Sequence, residues 1–141
     1  MVVTKLLLSL HVVAAILAIG PVAVAASMFP AAARRPDHAA LPLLHRICRV
    51  YALLGVTVPV FGLATASSLG VLGDPWLLTS IALTALAAAL LALLILPGQR
   101  RFLAGDSPNP ARLGMLTGVF NLLWAAVVVL MIVRPGSTTG A

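Results

Sequence analysis

Few side chains in this sequence can do chemistry, and one of its three histidines, His11, sits inside an apolar run. That run, Leu6–Phe29, holds no Asp, Glu, Lys or Arg. Ionisable groups are costly at membrane depth and mark a functional site by default. His11 lies about five residues inside the run, roughly 7–8 Å deep at helical rise. Counting inward along the neighbouring apolar runs brings Thr65, Ser67, Ser68, Thr79 and Ser80 near the same depth. The expectation is a polar pocket opening outward, lined by Thr65, Ser68, Thr79 and Ser80. His11 would serve there as a haem ligand, a metal ligand or a proton carrier. The competing expectation is a neutral imidazole that hydrogen-bonds one hydroxyl and ties two helices together.

A second set of donors lies toward the other end of the runs. His45 and Cys48 are spaced to share one helical face, and Met28 and Met115 fall at the same level. Imidazole, thiol and thioether together suit Cu(I), although methionine at a span end is also ordinary filler. Asn121 is a structural polar candidate, level with Pro21 and Pro59. Each proline frees the carbonyl four residues earlier, here Leu17 or Gly55, and lipid offers that oxygen no donor. The Asn121 amide is expected to supply one, directly or through a bridging water. His38, beside Asp37, is expected to be solvated.

No catalytic residue can be assigned. There is no hydrolytic triad, no phosphate-binding glycine loop and no pair of carboxylates. Glutamate is absent, and Asp37, Asp74 and Asp106 all fall between the apolar runs. Missing buried acids weigh against a proton- or sodium-coupled transporter. A single cysteine excludes an internal disulfide.

These residues must be positioned by four apolar runs, Leu6–Phe29, Val50–Leu72, Trp76–Leu96 and Leu113–Val133, of 21 to 24 residues each. As helices rising about 1.5 Å per residue they cross a hydrocarbon core of about 30 Å. With 62% hydrophobic and 9% charged residues, the chain belongs in lipid. The predicted fold is all-α: a polytopic membrane protein, an antiparallel four-transmembrane-helix bundle over residues 1–134, with a short disordered tail at 135–141. The connections are too short to build a separate core.

The net charge of +6 is sorted by loop. Arg34, Arg35, Arg46 and Arg49 separate the first two runs, and Arg100, Arg101 and Arg112 the last two. Only Lys5 and Arg134 face the other way. The positive-inside bias predicts that residues 30–49 and 97–112 are cytoplasmic and both termini outside. Anionic lipid headgroups are the expected partners of these arginines, and nucleic acid is not expected, because the loops lack interleaved aromatics. Lys5 and Ala23-Val24-Ala25 mimic a cleavable signal, but the run is longer than a signal core, and cleavage would put the first Arg-rich loop outside. A retained first span is expected.

Proline at Phe29-Pro30 is expected to end the first span, and Leu96-Pro97-Gly98 the third. From Leu43 an interfacial helix with Tyr51 at headgroup depth should lead into the second span. Asp74-Pro75 and Asn109-Pro110 read as helix starts, with Asp74 and Asn109 as caps. The second and third spans should form a hairpin. Close packing should use Gly55, Gly62, Ala66, Ala85, Ala89, Gly114 and Gly118, against the first-span face that carries His11, Ala18, Val22 and Ala25.

The stretch KLLLSLHVVAAILAIGPV (Lys5–Val22), with Val58–Leu63 and Asp74–Leu77, resembles an integral-membrane family called domain of unknown function twenty-two sixty-nine. More distantly it resembles the copper-resistance D-like and membrane protoporphyrinogen oxidase-like proteins. That resemblance implies a four-helix bundle with a histidine on its first helix, matching His11. In the oxidase-like relatives such a histidine is associated with b-type haem. The expected protein is an accessory subunit or binding module of the bacterial inner membrane, with haem b or quinone at His11. It would sit within a membrane complex or homo-oligomer. The alternatives are a small carrier or copper-handling protein using Met28, His45, Cys48 and Met115, and a haem-dependent membrane oxidoreductase.

Overall fold

The computed structural model describes residues 1–106 and 109–137, and every regular element in it is helical. The helices are α1 (Val2–Ala33), α2 (Leu41–Leu54), α3 (Thr57–Leu69), α4 (Pro75–Leu90), α5 (Leu96–Leu103) and α6 (Pro110–Val133). A single π-helical segment, Leu91–Ile95, joins α4 to α5. Read as continuous spans, four helices are long and apolar enough to cross a membrane: Val2–Ala33, Leu41–Leu69, Pro75–Leu103 and Pro110–Val133. The expected residues 138–141 of the tail, and Ser107-Pro108 of the last loop, lie outside the described residues.

Two prolines expected to end helices do not. α1 continues through Pro30 to Ala33, and the third span continues through Pro97 to Leu103. The physical reason is that the freed carbonyls are dealt with locally. Pro30 leaves the Ala26 carbonyl without its helical donor, and Thr117 Oγ1 of α6 donates to it at 3.5 Å. Before Pro97 the helix widens by one residue, so that the Leu96 N–H bonds the Leu91 carbonyl five residues back. The first loop therefore shrinks to seven residues, Arg34–Ala40, and the helix expected from Leu43 begins at Leu41 and leads into the second span.

That second span breaks at Gly55-Val56, four residues before Pro59. Val58 N–H closes a tight turn onto the Gly55 carbonyl at 3.1 Å, and Thr57 Oγ1 donates to Leu54 O at 2.7 Å. The Gly55 oxygen thus finds its donor within its own turn. Asn121 is not needed there.

Helix α1 is the hub, packing on α2, α3 and α6, while α4 packs on α6. The second and third spans are joined by the turn 70–74 but do not form the expected packed hairpin along their length; their extensive contact is between α2 and α5. The ring of helices therefore closes at the end that carries the arginines. The main core lies at that end too, around Val22, Ala26, Phe29, Leu41, Cys48, Ile95, Leu113 and Phe120. Phe29 and Phe102 meet edge-to-face at 6.1 Å, tying the two Arg-rich connections together. A smaller cluster, Ala66, Val71, Trp76 and Leu77, holds the opposite end.

Caps follow the sequence in part. Asn109 accepts from Ala111 N–H at 3.0 Å and Pro110 opens α6, as expected. Asp74 precedes Pro75 but does not cap with its side chain; its carboxylate accepts the Trp76 indole N–H at 3.0 Å. The Gly114/Gly118 pair does not mediate close approach, since a β-carbon at Gly118 would meet nothing and one at Gly114 would meet Pro30 at an ordinary 3.8 Å. Close approach occurs instead at Gly98, 2.7 Å from Leu113 Cδ2, and at Gly62, 2.9 Å from His11 Cε1, measured from the β-carbon each lacks.

Candidate functional site

His11 is half-buried and lies against α3, its ring filling the space a side chain at Gly62 would take. Its Nδ1 bonds the Val58 carbonyl at 2.8 Å. A carbonyl only accepts, so Nδ1 carries a proton and donates it. The four expected pocket residues do not converge on it. Thr65 Oγ1 donates to Phe61 O at 2.7 Å, Thr79 Oγ1 to Pro75 O at 2.8 Å and Ser80 Oγ to Trp76 O at 2.8 Å, each along its own helix. Ser68 pairs with Thr4. His11 is thus a tie between α1 and α3 through a backbone oxygen.

Asn121 also has a different partner from the one expected. Its Nδ2 donates to Ser27 Oγ at 3.0 Å across the α1–α6 contact, and its Oδ1 accepts from Trp124 Nε1 at 3.4 Å. Neither the Leu17 nor the Gly55 carbonyl is involved. His38 is not simply solvated: its Nε2 donates to the Ala33 carbonyl at 3.2 Å, and its ring meets Phe102 at 5.6 Å.

The best-formed polar arrangement lies at the Arg-rich end, where α2 meets α5. His45 Nδ1 donates to Gln99 Oε1 at 3.0 Å, and Gln99 Nε2 donates to Cys48 Sγ at 3.6 Å. Gln99 is 1% exposed and Cys48 fully buried. The shared face of His45 and Cys48 therefore exists, but its third member is Gln99. Met28 and Met115 stay on the bundle exterior, 53% and 62% exposed. Among the described residues no group of three or more His, Cys, Asp or Glu side chains is placed to hold a metal ion.

Gln99 was hidden by the assumption that Pro97 ends the third span. Once the helix continues past Pro97, a lone amide beside Gly98 must face the interior or lipid, and a buried amide needs partners. The available signal was the absence of any charge from Gln99 itself, directly before Arg100-Arg101.

Over this seam opens a groove of about 190 Å³ lined by His45, Arg49, Ala92, Leu96, Pro97 and Arg100. Gln99 occupies His45 Nδ1, and the His45 side chain lines the groove. Arg49 and Arg100 add two guanidinium groups, against an apolar wall from the third span. On the other side of that span a smaller cleft of about 60 Å³ is lined by Arg101 and Arg112, with Leu93, Pro97, Gly98 and Leu113. Such basic pockets between span ends can take phosphate headgroups, and the planar guanidinium fork suits a phosphodiester.

The opposite end has its own belt. The Arg134 guanidinium lies 5.5 Å from the Trp76 ring centroid, and Arg134 closes α6 in the left-handed region at φ 47°. An aromatic and a cation at one level match a membrane–water boundary.

No family model, no curated protein and no solved structure matches the chain.

Proposed function

We propose that this multi-pass protein is a membrane binding module whose ligand is an anionic amphiphile, held in the groove between the second and third spans. The observation that carries this is the meeting of Arg49 and Arg100 with the apolar wall of Ala92, Leu96 and Pro97. An anionic head would sit between the guanidiniums while its chain runs up the seam where the two spans part. The same charge distribution supports an orientation with the Arg-rich end at the cytoplasmic face of a bacterial inner membrane. No residue in the groove has a nucleophile–base relation, so binding, not catalysis, is the assigned task.

The test is a titration of the full chain in neutral detergent with phosphatidylglycerol and with phosphatidylcholine. Preference for the anionic lipid, falling about tenfold or more in the Arg49→Gln/Arg100→Gln double variant, supports the groove, since charge-assisted contacts of this kind typically contribute about 1.5–3 kcal/mol. Equal binding of the two lipids, or an unchanged preference in the variant, overturns it.

His11 supports a second role. Its Nδ1–H is fixed by the Val58 carbonyl and Nε2 is unengaged, which is the arrangement that orients a ligating imidazole. It offers one axial donor for haem b, or an acceptor for a quinol hydroxyl. A Soret band in the purified protein that vanishes in His11→Ala would support this role, and a colourless protein that gains no such band on adding haem rules out haem there.

A further inference from the structure

The groove and the smaller cleft share a wall. Pro97 lines both, so the inner end of the third span separates two guanidinium pairs: Arg49 with Arg100 on one side, Arg101 with Arg112 on the other. Consecutive residues on a helix point about 100° apart. Arg100 and Arg101, adjacent on α5, therefore reach into different clefts from one backbone position. Among the described residues no carboxylate pairs with any of these four arginines. Two guanidinium pairs on either side of one helix end offer anions two points of attachment, not one.

We infer that the occupant is a lipid with two phosphodiester groups joined by a short bridge, of the diphosphatidylglycerol type, straddling the Pro97 ridge. This deepens the anionic-amphiphile assignment and depends on it. One phosphate sits between Arg49 and Arg100 beside His45, the other between Arg101 and Arg112. The glycerol bridge crosses over Pro97, and acyl chains descend along the exposed Leu93 and Leu94, 71% and 40% exposed. Pro97, common to both linings, sets an apolar ring between the two cationic sites. Linking two phosphates makes the second contact intramolecular, so one two-phosphate lipid outcompetes two single-phosphate lipids at equal phosphate.

The experiment is native mass spectrometry of the full chain in neutral detergent, titrated with cardiolipin or with phosphatidylglycerol at matched phosphate concentration. A single cardiolipin adduct is expected at a concentration at least tenfold below that needed for phosphatidylglycerol. Arg100→Gln and Arg101→Gln should each reduce cardiolipin to the level of phosphatidylglycerol, whereas Arg34→Gln/Arg35→Gln, outside both clefts, should leave the preference intact. Circular dichroism confirms that these exposed-site variants keep their helices. Two phosphatidylglycerol adducts appearing as readily as one cardiolipin would overturn the bridging inference while leaving the groove assignment standing. If neither lipid binds in preference to phosphatidylcholine, both fall.

Discussion

At the scale of single residues, the two polar ties make opposite demands on their neighbours. His11 relies on the absence of a side chain at Gly62: a β-carbon there would stand 2.9 Å from Cε1 and 3.1 Å from Nδ1 of a rigid ring. Gly62→Ala should therefore push the imidazole off the Val58 carbonyl and destabilise the α1–α3 contact by about 1–3 kcal/mol, the usual cost of overpacking. His11→Ala should cost less, about 0.5–1.5 kcal/mol for one hydrogen bond. The His11→Ala/Gly62→Ala double variant should recover most of the difference, which thermal unfolding in detergent can measure; an additive result would mean that ring and glycine do not touch. At the other end, Gln99 shields Cys48 and holds His45. Gln99→Ala should expose the thiol, so that a maleimide reagent inert toward the folded parent modifies Cys48 in the variant; continued protection would show that packing alone seals it. The sequence marked His11 as an anomaly but not its partner, because every residue offers a carbonyl and helix rotation alone selects Val58. Gln99 escaped notice for a related reason: its burial depends on a helix running on past a proline.

At the scale of elements, proline acts here as a shape-setting residue more than as a terminator. The four spans were readable from hydrophobicity because transfer of charge into lipid is so costly that it is simply avoided along each run. Their ends were not, since a proline stops a helix only where nothing repairs the freed carbonyl. Thr117 repairs Ala26, the turn at Gly55 repairs itself, and the π-helical segment Leu91–Ile95 absorbs Pro97. The last case has the largest consequence. One extra residue per turn rotates everything beyond it by about 100° relative to an uninterrupted α-helix. That rotation is what turns Gln99 inward and divides Arg100 from Arg101. Deleting one residue within Leu91–Ile95, for instance Ala92, removes the extra residue together with the bulge and so keeps the phase of α5: Gln99 should stay on His45 and Cys48, and Cys48 should stay inert to maleimide. Loss of that protection would show that the bulge does not set the phase of α5. Thr117→Val tests the other repair: about 0.5–1 kcal/mol of stability should be lost, in keeping with measured hydrogen bonds between membrane helices.

At the scale of the whole molecule, charge and packing are gathered at the same end. The ring of spans closes through α2 and α5, the main core lies there, and Phe29, His38 and Phe102 meet edge-on across the two connections. Arg34, Arg35, Arg46 and Arg49 thus share an end with Arg100, Arg101 and Arg112, against Lys5 and Arg134 at the other. Cytoplasmic retention of arginine-rich loops acts on short connections, and both of these are short. The bundle should therefore insert with that end inward. Single cysteines in a Cys48→Ala background make this measurable, at exposed positions that leave every charge in place: Val3 and Pro135 at one end, Ala39 and Ala104 at the other. In intact cells a membrane-impermeant maleimide should label Val3→Cys and Pro135→Cys and spare Ala39→Cys and Ala104→Cys until the cells are opened. Labelling of Ala39→Cys and Ala104→Cys alone would invert the orientation and move the lipid grooves to the outer leaflet, with the bundle itself unchanged. Opposite behaviour of Ala39→Cys and Ala104→Cys would be incompatible with the two crossings between them, Leu41–Leu69 and Pro75–Leu103, and would break the shared end on which the two guanidinium clefts depend.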